Sequence, residues 1–139
     1  MELSQRIVLA SSSPWRRKML QDAGVVCDAV ASGLDESRFQ ADSPKALALL
    51  LAREKAKQVH LQNPGAITIG ADQVAFNEEG SFGKPRDPAD HLERLMSLCG
   101  RTHWLTTGVV FVGAASDTQP SRTPPHLVWG GRGRSARKA

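Results

Sequence analysis

The sequence predicts an α/β protein with a mixed central sheet and flanking helices. Three observations point there. Short β-branched runs, Ile7-Val8-Leu9-Ala10 and Ile67-Thr68-Ile69, have the unbroken apolar character of strands covered on both faces. Three helix starts are written in the same way, Ser13-Pro14, Ser43-Pro44 and Asp87-Pro88, each pairing an N-cap side chain with a proline at N1. Strand and helix patterns also alternate along the chain, the order that crossover connections require. With 139 residues, 40% of them hydrophobic, the chain can bury one core.

The first strand is expected over Ile7 to Ala10. Ser11-Ser12-Ser13-Pro14 turns the chain into a helix, which Gly24 should stop. Arg16 and Arg17 fall in that helix's first turn, where cations oppose the dipole unless an anion arrives. Trp15 stands at N2, costly to leave exposed without a use. Serine hydroxyls, guanidiniums and free helix N–H groups together suit a phosphate, although a capped surface helix would read the same way. Val25 to Val30 is expected to form a second strand, with Cys27 as core filler. The polar link from Ser32 to Arg38 carries Asp35 and Glu36, which are either a solvated acidic loop or a hard-metal ligand.

A long helix should run from Ser43 to about His60, its apolar stripe being Ala48, Leu51, Ala52, Ala56 and Val59. Lys55 lies inside that stripe and must snorkel or meet an anion. The next strand is expected to break at Gly70, placing Asp72 at the mouth of a cleft with Gln73 beside it, or else to end in an ordinary Asx turn. Asn77-Glu78-Glu79-Gly80 reads as a hairpin turn. Lys84, between Gly83 and Pro85, has a constrained backbone suited to a lysine aimed at a ligand, or to a surface turn. A third helix follows Asp87, with Leu92, Leu95 and Met96 as its apolar face and Gly100 as its end. Trp104 to Val112 supplies another strand, with Gly108 as a bend or bulge.

Charge is distributed unevenly. All 14 acidic residues lie at or before Asp117, while Arg122, Arg132, Arg134, Arg137 and Lys138 follow it, so the net +4 belongs to the end of the chain. Residues 1–117 therefore read as the folded domain. Residues 118–139, rich in Gly, Pro, Ser and Arg and without strand or helix periodicity, read as a basic disordered tail. Cys27 and Cys99 have no metal-ligand spacing and are expected as free thiols, in keeping with a cytoplasmic protein. No segment has the length and apolarity of a membrane span.

In their order, Leu9-Ala10-Ser11-Ser12-Ser13-Pro14-Trp15-Arg16-Arg17, Asp35-Glu36, Ala52-Arg53-Glu54-Lys55-Ala56, Ile69-Gly70-Ala71-Asp72-Gln73 and Gly83-Lys84-Pro85 resemble the Maf family of nucleoside triphosphate pyrophosphatases. The resemblance covers residues 7–112 and implies a Maf/inosine triphosphate pyrophosphatase-like fold. It further implies hydrolysis of a nucleoside triphosphate to the monophosphate and pyrophosphate with Mg²⁺ or Mn²⁺. On that resemblance Asp72 is the catalytic carboxylate. Ser11, Arg16, Arg17, Lys55 and Lys84 bind phosphate, and Glu36 with Asp72 serves the metal. Trp15 and Gln73 resemble the branch acting on 7-methyl-GTP, whose cationic base suits an indole face. Members of the family are longer, so the C-terminal part of the fold, with a further specificity residue, is expected to be missing. An impaired relative that binds nucleotide weakly is the alternative reading. A basic-tailed nucleic-acid binder is a third, supported by the tail alone and lacking interleaved aromatics. The partner implied is a modified nucleoside triphosphate, without membrane or nucleic acid, and a homodimer stays open.

Overall fold

The structure is a computed structural model and describes residues 5–113 and 127–134. Strands β1 (Ile7–Ala10), β2 (Asp28–Ala29), β3 (Ile67–Asn77), β4 (Gly80–Phe82), β5 (Thr102–Val112) and β6 (Leu127–Arg134) form one sheet in the order β2-β1-β3-β5-β6, with β4 paired to β3. The β2-β1-β3 pairs are parallel, whereas β4, β5 and β6 pair antiparallel. The sheet is thus mixed and flanked by helices, as expected.

Helices α1 (Pro14–Asp22), α2 (Pro44–Gln62) and α3 (Pro88–Leu98) begin where the sequence places them. Ser13, Ser43 and Asp87 each accept a backbone N–H from three residues on, and each is followed by proline at N1. Gly24 and Gly100 take φ of 81° and 72° just past the ends of α1 and α3. Between β3 and β4, Asn77 Oδ1 accepts the N–H groups of Glu79 and Gly80 at 2.8 and 3.2 Å, closing the expected hairpin.

The core lies between α2 and one face of the sheet. Every residue of the expected stripe, Ala48, Leu51, Ala52, Lys55, Ala56 and Val59, is buried. Opposite it stand Val8 and Ala10 of β1 and Thr68, Asp72 and Val74 of β3. Two glycines set the closeness of this packing. A Cβ on Gly70 would fall on the Ala52 carbonyl oxygen and 2.7 Å from Ala56 Cβ; a Cβ on Gly108 would stand 2.6 Å from the Ala48 carbonyl.

Several expectations are corrected. β3 does not break at Gly70 but runs on to Asn77, because Gly70 serves the approach of a helix rather than a turn. Pairing of β3 with β5 is continuous through Asp72↔Gly108, so Gly108 is no bulge. The second strand is only Asp28–Ala29, and Val26 is exposed. Leu92, Leu95 and Met96 of α3 are also exposed: the amphipathic pattern is there, but no described residue covers it. Residues 127–134, expected within a strandless tail, pair with β5. An open strand edge recruits backbone N–H and C=O groups, which need no side-chain alternation. The boundary at Asp117 and residues 118–126 and 135–139 lie outside the described residues. Among those described, no helix is long and apolar enough to cross a membrane.

Candidate active site

A cleft of about 1170 Å³ opens at the C-terminal end of β1 and along the middle of β3. β1 delivers Ser11, and α1 begins three residues later, at Pro14. Ser11 Oγ accepts the Ser13 N–H at 3.1 Å, which holds the turn. The helical advance then decides which cation enters. Arg16 swings back, its Nη1 donating to the Ala71 carbonyl at 3.1 Å and to Ser11 Oγ at 3.4 Å. Arg17, about 100° further round the helix, is exposed and outside the lining. Trp15 is also outside it and 77% exposed.

Asp72 projects from the α2 face of β3 and is 7% exposed. Lys55, 9% exposed, meets it from α2, with Nζ donating to Asp72 Oδ1 at 2.5 Å. The same Nζ lies 2.8 Å from Oε1 of Glu36, in a short 3₁₀ turn capped by Asp35. Lys84 Nζ comes within 3.7 Å of that Glu36 oxygen from the segment after β4. Lys55 therefore neither snorkels to water nor stands free for a phosphate: it binds two carboxylates. Gln73 points to the other face of β3, where its Nε2 donates to Thr107 Oγ1 at 3.2 Å, and it lines the same cleft with Ala75, Phe82 and Leu105. Ser11, Arg16, Glu36, Lys55, Asp72, Gln73 and Lys84 are thus brought together; Trp15 and Arg17 are not. The sequence reading missed the Ala71 carbonyl that anchors Arg16 and the Thr107 hydroxyl that holds Gln73. Only the strand pairing Gln73↔Thr107 would have found the second.

The charges respond to this crowding. Burial raises Asp72, and the nearby Glu36 charge adds to it. Lys55 and Arg16 oppose the rise without cancelling it, so the carboxyl titrates above its ordinary value. For Glu36 burial is overcome by Lys55 and Lys84, which hold it below its ordinary value. Burial also works against the Lys55 ammonium, but its two carboxylates keep the pKa raised. Lys55 accordingly stabilises the fold below the ordinary lysine value and loses that contribution as pH rises through the raised one. Glu36 stabilises above its ordinary value, and the contribution is lost as pH falls through the lowered one. Asp72 has the opposite sign to Glu36: its ionised form is a cost, relieved as pH falls through the raised value. Carboxyl carbon-13 titration of the metal-free protein should place the Asp72 midpoint above that of an ordinary aspartate and the Glu36 midpoint below that of an ordinary glutamate. The reverse order would contradict this electrostatic picture.

Two carboxylate oxygens converging on one cation fit a hard divalent ion. Among the described residues no three His, Cys, Asp or Glu side chains gather. Asp72 and Glu36 are hard oxygen donors of the kind Mg²⁺ or Mn²⁺ takes, but fewer than a metal held by protein alone would need. A smaller hollow of about 310 Å³ near Arg6 and Asp28 has no such set. Its exposed Arg6–Asp28 pair, 2.8 Å apart, satisfies itself.

Comparison with known proteins shows the family and the fold. The family described as "Maf-like protein" matches residues 6–125. A 7-methyl-GTP pyrophosphatase of Rhizobium johnstonii is 38% identical over 116 residues, 79% of this chain and 58% of the relative. A dTTP/UTP pyrophosphatase of Symbiobacterium thermophilum is 40% identical over 108 residues, 78% and 56% of the two chains. A nucleoside triphosphate pyrophosphatase of Streptomyces avermitilis is 37% identical over 126 residues, 89% and 61%. The chain thus spans about three fifths of the length of these relatives. Among solved structures, a HAM1 protein from Coxiella burnetii superimposes with a TM-score of 0.54 at 17% identity, covering 96% of this chain and 74% of the other, a likeness of fold.

Proposed function

Because the chain belongs to the Maf family, we propose that this cleft hydrolyses a nucleoside triphosphate between its α and β phosphates, releasing pyrophosphate, and that it prefers 7-methyl-GTP. The observation that carries the reading is the gathering of a buried carboxylate, Asp72, with Ser11, Arg16, Lys55 and Lys84 in one cleft. Arg16, Lys55 and Lys84 neutralise the triphosphate, and Ser11 with the first turn of α1 supplies neutral donors. Arg16 is already oriented by the Ala71 carbonyl, so less reorganisation accompanies binding. Asp72 takes a proton from water attacking the α-phosphorus, and the bridging oxygen leaves with pyrophosphate. Its raised pKa makes it a stronger base than an exposed aspartate. Asp72 and Glu36 are the ligands that would hold Mg²⁺ or Mn²⁺, which polarises phosphate and acidifies water when bound.

Relatives of similar identity carry different substrate names, so in this reading substrate choice rests on particular residues, Gln73 and Trp15, and not on overall identity. Gln73 takes the larger share because it lines the cleft and Thr107 fixes its amide. Trp15, next to Arg16 in the chain, is exposed and outside the cleft lining, so it takes the smaller share. Pyrophosphate release should be faster with 7-methyl-GTP than with GTP, dTTP or UTP, and should stop in excess chelator. Gln73→Thr should shift the preference toward pyrimidines by about tenfold, the worth of one hydrogen bond made only to the favoured base, whereas Trp15→Arg, outside the cleft lining, should change it little. Equal kcat/KM for 7-methyl-GTP and dTTP in the wild type would end the substrate assignment.

A further inference from the structure

We propose that Lys55 keeps Asp72 and Glu36 closed to divalent metal until a triphosphate draws its ammonium away, so that metal and nucleotide enter the site together. The displacing ligand rests on the function proposed above; the blockade itself does not. Lys55 Nζ occupies the point on which both carboxylates converge, 2.5 Å from Asp72 and 2.8 Å from Glu36. Its stem lies in the buried stripe of α2, so the ammonium cannot leave for bulk water without exposing that stripe. Two further cations adjoin the same carboxylates: Lys84 at 3.7 Å from Glu36, and Arg16 on the carbonyl of the residue before Asp72. Three positive side chains thus face two negative ones. A doubly charged ion added to that set is repelled chiefly by Lys55, buried where solvent screens poorly, while Lys84 is largely exposed and adds less. A triphosphate reverses the balance. Its oxygens are new partners for Lys55, Lys84 and Arg16, and the two carboxylates are released. The coupling is reciprocal, so metal and nucleotide tighten each other by the same factor.

The test is Mn²⁺ binding, followed by the paramagnetic resonance of the free ion. Wild type, Lys55→Gln and Lys55→Arg are each titrated with and without a non-hydrolysable α,β-methylene triphosphate, corrected for the analogue's own affinity for Mn²⁺. Lys55→Gln should bind Mn²⁺ alone about tenfold or more tightly than wild type, and the analogue should tighten the wild type by about as much. Lys55→Arg keeps a cation on the carboxylates and should stay as weak as wild type. Equal Mn²⁺ affinity in wild type and Lys55→Gln would overturn the proposal. So would Mn²⁺ binding to wild type that the bound analogue leaves unchanged, a comparison needing no variant to fold. An analogue that fails to bind, with the metal-alone difference intact, would uphold the blockade and count against the nucleotide reading instead.

Discussion

Asp72→Asn should reduce pyrophosphate release by about 10³-fold on every nucleoside triphosphate, within the roughly 10²–10⁴ that a positioned general base contributes, and leave the protein no less stable. The two halves have one cause. Asp72 is buried beside a second carboxylate, and its raised pKa records that the charged form is held at a cost. Asparagine keeps the shape and a hydrogen-bond acceptor for Lys55. It also leaves a neutral Lys55–Glu36 pair, still 2.8 Å apart, in place of one ammonium between two carboxylates. Neutralising a carboxylate whose desolvation outweighs the pull of its neighbouring cations removes that cost and can raise stability. The measurement is pyrophosphate release beside thermal unfolding. Turnover within tenfold of wild type would remove Asp72 from the chemistry. A large fall in Tm would make it a structural residue instead.

Gly70→Ala and Gly108→Ala should each cost about 3 kcal/mol or more, the upper end for overpacking a core. A single methyl is enough because what it meets is backbone. At Gly70 the new Cβ would fall on the Ala52 carbonyl oxygen, and at Gly108 it would stand 2.6 Å from that of Ala48. No rotamer change relieves either contact, so α2 must lift from the sheet. Because one lift serves both, the double variant should cost less than the two singles combined. Denaturant unfolding of the three variants measures this. Single losses below about 1 kcal/mol would mean that the helix can shift freely, against the close packing argued here.

The helices and their buried stripe were legible because they are local patterns. Ser-Pro and Asp-Pro caps state where a helix begins, and the spacing of Ala48, Leu51, Ala52, Ala56 and Val59 states which side faces inward. Even the anomaly of Lys55 in that stripe was visible; that its partners are Asp72 and Glu36 was not. Such facts belong to pairs of distant segments. Gly70 looked like a break because sequence shows a missing side chain but not the helix that needs the space. Leu92, Leu95 and Met96 carry a periodic pattern whose covering surface is not among the described residues. Arg17 looked equivalent to Arg16, and only the 100° step of α1 separates the one that turns into the cleft.

The alanines of α2 act as a gauge block. Ala48, Ala52 and Ala56 seat the helix directly on bare backbone at Gly108 and Gly70, and that seating sets the height from which Lys55 reaches Asp72. The most sensitive dimension of the site is therefore machined in the core, by residues that touch no ligand. Enlarging any of these alanines would detune the reach of the lysine before it unfolded the protein, and in a screen for activity such variants would pass for active-site lesions.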